Sequence, residues 1–125
     1  MNLNQVTIPS LDVEKATEFY KTLGLTLIVE ALPRYVRFEC PNGDSTFSIH
    51  KVDTLPKGDA IVLYFEVQNL KKEVENLKQK GIRFSTKIIE QSWLWNEAHL
   101  SDLDGNKIII FHAGKNRKSP PWRIK

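Results

Sequence analysis

The chain has 125 residues, 41% hydrophobic and 26% charged, the length and composition of one ordinary globular domain, which excludes two independent domains, a fibrous repeat or a disordered chain. The net charge of +3 suggests nucleic acid until the charges are located: five of the 18 basic residues fall between Lys115 and Lys125, where no acidic residue stands, leaving the body slightly acidic against 15 carboxylates. A short basic end without helical or strand period reads as a solvated end, and no apolar run approaches the roughly 18 residues of a membrane span, so neither nucleic acid nor membrane is an expected partner.

The first predicted element is a strand over Leu3 to Ile8. Asp12 then opens a helix that closes at Gly24, with Val13, Ala16, Phe19, Tyr20 and Leu23 recurring at three and four residues. Asp is a good N-cap because its carboxylate accepts the orphan N–H groups of the first turn, and glycine takes the left-handed conformation that ends a helix. Three β-rich stretches follow, at Leu25 to Glu30, Tyr35 to Glu39 and Thr46 to Val52, separated by Pro33 and by Pro41-Asn42-Gly43.

The same order then returns. A strand over Ile61 to Val67 precedes a helix from Asn69 to Gly81 that lies without gaps on Asp12 to Gly24, with Leu70, Val74, Leu77 and the stem of Lys78 as its apolar stripe. Strands are predicted at Ile82 to Ile89, Ala98 to Leu100 and Lys107 to Phe111, with the Leu103-Asp104-Gly105 turn before the last. The reading is an α+β fold of two βαβββ modules, about 1–55 and 58–113, in a single domain over 1–113. The helices cover the outer face of a curved mixed sheet and leave its other face free to form a cleft. Residues 114–125 form a basic tail with two prolines and a tryptophan; Trp122 and Ile124 give it something to bury, so it is a candidate strap over the cleft or over a second subunit.

Asn4-Gln5-Val6-Thr7-Ile8-Pro9, then Asp12, then Phe19-Tyr20-Lys21-Thr22-Leu23-Gly24-Leu25, and finally Asp102-Leu103-Asp104-Gly105-Asn106-Lys107 together resemble the vicinal oxygen chelate superfamily, the fold of glyoxalases, bleomycin-resistance proteins and extradiol dioxygenases. The resemblance spans about residues 1 to 113. It implies the fold and, commonly, a homodimer built by pairing or exchanging modules, but not one activity, because isomerases, dioxygenases, thiol transferases and drug-sequestering proteins share it. In metal-dependent members it implies a His or Gln on the first strand and a Glu on the last strand of each module. Carried over, these positions fall on Gln5, near Ser48, on Val62 and on Ile109. Two of the four are apolar, and since a catalytic metal generally needs three protein ligands, no metal or other cofactor is expected there.

Strand alternation selects the other side chains of the cleft face. From Ser48 it selects His50. The resemblance to ring-cleaving members places His99 inward, and steps of two give Glu97 and Trp95; the equivalent strand of the first half offers Tyr35 and Arg37. The ligand-binding set is therefore Gln5, Tyr35, Arg37, Ser48, His50, Trp93 and Trp95. His99 and Glu97 are the candidate catalytic pair, and Gln5, His50 and His99 an alternative set for a relocated divalent metal. Trp93 and Trp95, if extended, put both indoles on one side, where their flat apolar faces suit a planar ligand. Arg37 suits a carboxylate or phosphate. His112 has the opposite parity and is expected as a strand-end residue.

Three function classes follow. The leading one is a metal-free binding or sequestering protein for a small planar or aromatic molecule. The second is a lyase, isomerase or dioxygenase-like enzyme using His99, Glu97 and His50 for acid–base or relocated metal chemistry. The third is an interaction module acting through its basic tail. The N-terminal MNLNQVTIPSLDVEK lacks the features of a secretory signal, and lone Cys40, read as a small buried apolar side chain, has no disulfide or CxxC partner, so a cytoplasmic location is expected.

Overall fold

The computed structural model describes residues 1–58 and 61–124. In chain order its elements are β1 (Gln5–Ser10), α1 (Val13–Leu23), β2 (Thr26–Ala31), β3 (Tyr35–Glu39), β4 (Thr46–Lys51), β5 (Val62–Glu66), α2 (Leu70–Gln79), β6 (Ile89–Glu90), β7 (Asn96–Ser101) and β8 (Lys107–His112), followed by a short 3₁₀ turn at Gly114–Asn116. Each half runs β, α, β, β, β, so the fold is α+β with two βαβββ modules. The chain divides into two compact units, Met1–Ala60 with Asp102–Gly105, and Ile61–Ser101 with Asn106–Lys125.

The helices begin and end for the reasons the sequence offers. The Asp12 side chain accepts the Lys15 N–H at 3.1 Å, and Asn69 accepts the Lys72 N–H at 3.1 Å. Gly24 caps α1 at φ 118; in α2 Lys80 is the cap, and Gly81 at φ 92 follows it. A side chain at either glycine would be held in a left-handed conformation that costs about 1 kcal/mol or more.

Each unit contains one four-stranded mixed sheet, ordered β1-β4-β3-β2 and β5-β8-β7-β6. In each, the first strand runs parallel to the last and the remaining pairs are antiparallel. The parallel pairing requires a long crossover, which the helix provides. Pro9 is tolerated within β1 because β1 is the edge of its sheet.

One face of each sheet takes the helix. In the first unit Tyr20 of α1 lies 4.7 Å from Phe47 and 6.3 Å from Phe38, centroid to centroid, over buried Ile8, Val36 and Ile49. Burial of each such side chain contributes about 1.5 to 3 kcal/mol. The Tyr20 hydroxyl donates to Asp102 Oδ2 at 2.6 Å, and Asp104 Oδ1 accepts the Leu11 N–H at 2.9 Å, so the Asp102–Gly105 turn belongs to the first unit although its neighbours in sequence belong to the second. In the second unit α2 buries Leu70, Val74 and Leu77, and the sheet positions of matching parity, Ala98, Leu100, Ile108 and Ile110, are buried as well.

Two expectations are corrected. The strand expected at Ile82 to Ile89 shrinks to Ile89–Glu90. Hydroxyls take over the pairing there: the Ser85 N–H and Oγ both donate to the His99 carbonyl, at 2.7 and 3.0 Å, and Thr86 Oγ1 accepts the His99 N–H at 3.1 Å. Cys40 is half-buried, and desolvation pushes its thiol upward. The tail makes polar contacts, with the Arg117 Nε 3.4 Å from Glu66 Oε1 and Arg123 Nη1 donating to the Lys118 carbonyl at 2.9 Å; Trp122 and Ile124 are exposed, at 57% and 93%. Among the described residues no helix is long and apolar enough to cross a membrane.

Candidate functional site

The sheet faces turned away from the helices carry the candidate residues. In the first unit alternation places Gln5 and Thr7 of β1, Tyr35 and Arg37 of β3, and Thr46, Ser48 and His50 of β4 on this face. The register brings them side by side: Gln5 pairs with Thr46 and Thr7 with Ser48, while Tyr35 pairs with His50 and Arg37 with Ser48. The outcome is a continuous polar network. Gln5 Nε2 donates to Ser48 Oγ at 2.7 Å, the Thr46 hydroxyl donates to Gln5 Oε1, Ser48 Oγ and the Tyr35 hydroxyl lie 2.7 Å apart, and Arg37 Nε donates to the Tyr35 oxygen at 2.9 Å. The Ser48 and Arg37 hydrogen bonds together hold the Tyr35 phenol below its ordinary value.

Buried Ser48 anchors the network. His50 is exposed near the end of β4.

The corresponding face of the second unit has different chemistry. Here alternation places Val62 and Tyr64 of β5, Glu97 and His99 of β7, and Ile109 and Phe111 of β8. The Trp95 indole stacks on Phe111, with centroids 4.8 Å apart and planes at 19°. Tyr64 meets both edge-on, 5.8 Å from Trp95 and 5.5 Å from Phe111. Ile109, Phe111 and Ala113 form a small buried cluster against which Trp95 packs, and the indole N–H donates to the Asn116 carbonyl at 3.3 Å.

Beside this aromatic corner, Glu97 is 1% exposed. Its Oε1 accepts from Gln91 Nε2 at 3.2 Å and lies 2.8 Å from His99 Nε2, and its Oε2 accepts the Trp93 indole N–H at 3.0 Å. A buried carboxylate needs such donors, since an unpaired one costs several kcal/mol. The segment from Trp93 to Trp95 is not extended, contrary to the reading from spacing. Leu94 takes φ 69 inside a turn closed by the Gln91 N–H on the Trp95 carbonyl at 2.8 Å. The two indoles consequently do different work, one hydrogen-bonded to a carboxylate and the other stacked on a ring.

His112 ends β8 with opposite parity, its Nδ1 donating to the Val67 carbonyl at 2.8 Å. Gln91, Tyr64 and Phe111 were not selected from sequence. Parity contained the signal for the latter two, because Tyr64 lies two residues beyond Val62 and Phe111 two beyond Ile109.

The strand register makes the four positions of the metal-binding pattern equivalent in pairs: Gln5 and Val62 each open a first strand, and Ser48 and Ile109 each sit third in a last strand. Val62 and Ile109 offer carbon only, and the amide oxygen of Gln5 already accepts from Thr46. The residues present therefore do not fit a divalent metal, which needs about three protein ligands in a catalytic site. Among the described residues no cluster of three or more His, Cys, Asp or Glu able to hold a metal occurs.

Comparison with known proteins places these faces in context. The chain is similar in structure to a glyoxalase/bleomycin resistance protein/dioxygenase from Nocardioides, with a TM-score of 0.79 and 20% identity over 100% of this chain and 90% of that one. It is similar also to lactoylglutathione lyase from Agrobacterium tumefaciens, at TM-score 0.74 and 13% identity over 89% and 92%. A bleomycin-binding protein solved in complex with bleomycin gives TM-score 0.72 and 18% identity over 90% and 98%. No curated protein matches the chain. The family model for the Glyoxalase/Bleomycin resistance protein/Dioxygenase superfamily matches residues 2–110, and with both modules and their register in place the chain belongs to that superfamily.

Proposed function

We propose that this protein binds a small planar or aromatic organic molecule, without a bound metal, and that the aromatic corner of Tyr64, Trp95 and Phe111 is its principal contact surface. The observation that carries the reading is the Trp95–Phe111 stack with Tyr64 edge-on to both. Tyr64 remains 49% exposed, so the corner presents an aromatic surface to a ligand ring, and contacts of this kind contribute about 0.5 to 1.5 kcal/mol each beyond area burial. Trp93 is tied to Glu97 by its indole N–H. Gln5, Tyr35, Arg37, Ser48 and His50 form a second, polar ligand surface on the first unit. A relative that holds bleomycin supports sequestration as the class of function. The reading includes a cytoplasmic homodimer, with lone Cys40 supporting the compartment.

The test is titration of tryptophan fluorescence with neutral planar aromatics, comparing the wild type with Trp95→Leu. Saturable quenching that weakens about tenfold or more in the variant, the scale of one lost aromatic anchor, is expected. Equal binding by both proteins sinks the assignment of the surface.

The Glu97–His99 contact favours a second reading, a lyase or isomerase. Glu97 engages Nε2 of His99 and so fixes the ring's tautomer, leaving Nδ1 to exchange a proton with a substrate; the His99 side chain is 35% exposed while that of Glu97 is 1% exposed. In this arrangement His99 is the acid–base group and Glu97 its orienting partner, the division of labour of a carboxylate–histidine pair. An activity lost in His99→Gln, but retained with lower kcat in Glu97→Gln, would support it. A turnover unaffected by His99→Gln would remove it.

A further inference from the structure

We propose that the polar face of the first unit is an oxyanion-binding site centred on Tyr35, taking a carboxylate or phosphate group through the Tyr35 O–H and the terminal N–H groups of Arg37. The proposal rests on the reading of the chain as a small-molecule binder and names the charged group such a ligand carries. It comes from following the protons through the network. Gln5 Nε2 donates to Ser48 Oγ, so the Ser48 hydrogen is directed elsewhere, and the neighbour within reach is the Tyr35 oxygen at 2.7 Å. Arg37 Nε donates to that same oxygen at 2.9 Å. With two donors converging on it, the phenol oxygen has its lone pairs engaged, and its own O–H turns outward as a donor. A phenol that accepts from two donors, one of them cationic, is a stronger hydrogen-bond donor than a free one.

Arg37 supplies the charge. Its Nε is held by Tyr35, and the guanidinium carbon lies 5.6 Å from the Tyr35 ring centroid, which fixes the plane of the fork. Among the described residues no carboxylate lies within ion-pair distance of Arg37, whereas Arg117 is paired with Glu66. A planar fork presenting two terminal N–H groups is the geometry that matches a carboxylate or phosphate.

The surroundings favour an anion. On this face β4 contributes His50, directly opposite Tyr35, and uncharged Ser48 and Thr46. β2 contributes Ala31 opposite Tyr35 and Val29 opposite Arg37, and β1 contributes Gln5, Thr7 and Pro9. The one acidic residue of the same parity is Glu39, at the far end of β3 from Tyr35, opposite Thr46. Ionisation of Tyr35 therefore weakens anion binding by removing the donor.

Two probes separate the sources of the oxyanion: inorganic phosphate and acetate, each titrated calorimetrically into the full chain and into Arg37→Gln, Tyr35→Phe and Ser48→Ala. At least one probe is expected to bind the wild type in the millimolar range or tighter, and to weaken about tenfold or more in Arg37→Gln, the effect of losing one charge-assisted hydrogen bond. Tyr35→Phe weakens binding in the same direction while circular dichroism shows an unchanged fold. Tyrosinate absorbance gives a readout that a structural role would not move: the titration of Tyr35, identified by its absence in Tyr35→Phe, shifts to higher pH when the probe is present. Failure of both probes to bind, or equal binding by wild type and Arg37→Gln, overturns the proposal. Neutral aromatics still quenching Trp95 under those conditions would leave the aromatic corner standing and confine the failure to this face.

Discussion

The two modules share a backbone plan and differ on the face the helices leave open. Register makes Gln5 equivalent to Val62, Ser48 to Ile109, His50 to Phe111, Tyr35 to Glu97 and Arg37 to His99. At the first three positions the first unit carries polar groups where the second carries hydrocarbon or an aromatic ring. At the fourth, a phenol joined to a hydroxyl and a guanidinium stands where the second unit holds a buried carboxylate with three donors. An ancestral pattern with one metal ligand per strand has no counterpart in this division of labour. One face carries a polar hydrogen-bonded network and the other a cluster of packed aromatic rings, and the backbone alone decides neither.

The contrast can be broken by replacing equivalent residues. The largest effect is expected at β8: Phe111→Ala removes a buried ring packed by Trp95 and Tyr64 and should cost about 3 to 5 kcal/mol, whereas His50→Ala at the equivalent exposed position should stay within about 0.5 kcal/mol. Urea unfolding of the two variants measures the difference, and equal destabilisation would show that the second face is not a packed aromatic surface. Next comes the β3/β7 pair. Glu97→Ala strands the Trp93, Gln91 and His99 donors and should cost about 3 kcal/mol; Tyr35→Phe, on the half-exposed network, should cost about 1 kcal/mol or less.

A smaller effect concerns Tyr20 beneath the first sheet. Burial, then the Asp102 carboxylate, push its phenol well above the ordinary 10.0. The folded state thus keeps a proton that the unfolded chain releases, so the stability contributed by Tyr20 is complete below about pH 10 and falls as pH rises beyond it. Tyr20→Phe should lose about 1 kcal/mol at neutral pH and show a shallower alkaline decline in thermal midpoint than the wild type. An unchanged alkaline slope would place the burden on another group.

Most of this architecture was legible in the residues. Asp12, Asn69, Gly24 and Gly81 announce two helices because their side chains, or lack of one, match what helix ends require. The resemblance supplied Ser48 and His99, and alternation from His99 reached Glu97; the register puts Tyr35, Arg37 and Ser48 on one shared face and Glu97 and His99 on another. What escaped lies where local chemistry replaces the regular pattern. Ser85 and Thr86 read as strand residues, but their hydroxyls substitute for the ladder beside His99. Leu94 carries no sign of its positive φ, because the residues that usually mark such a turn, glycine or asparagine, are absent from that position. Trp93 therefore came to Glu97 by a route that spacing does not reveal. Tyr64 and Phe111 fell within predicted strands without being singled out, and their mutual ring geometry with Trp95 emerges only from the structure.

The central claim is that a small aromatic molecule is held by the Trp95 face with no metal taking part. Its most direct test is ligand binding by chelator-treated protein, followed by tryptophan fluorescence in the wild type and in Trp95→Leu. Saturable binding that survives chelation and is lost with the Trp95 indole is the predicted result. Binding that appears only after a divalent metal is restored, or that is indifferent to Trp95, would contradict it.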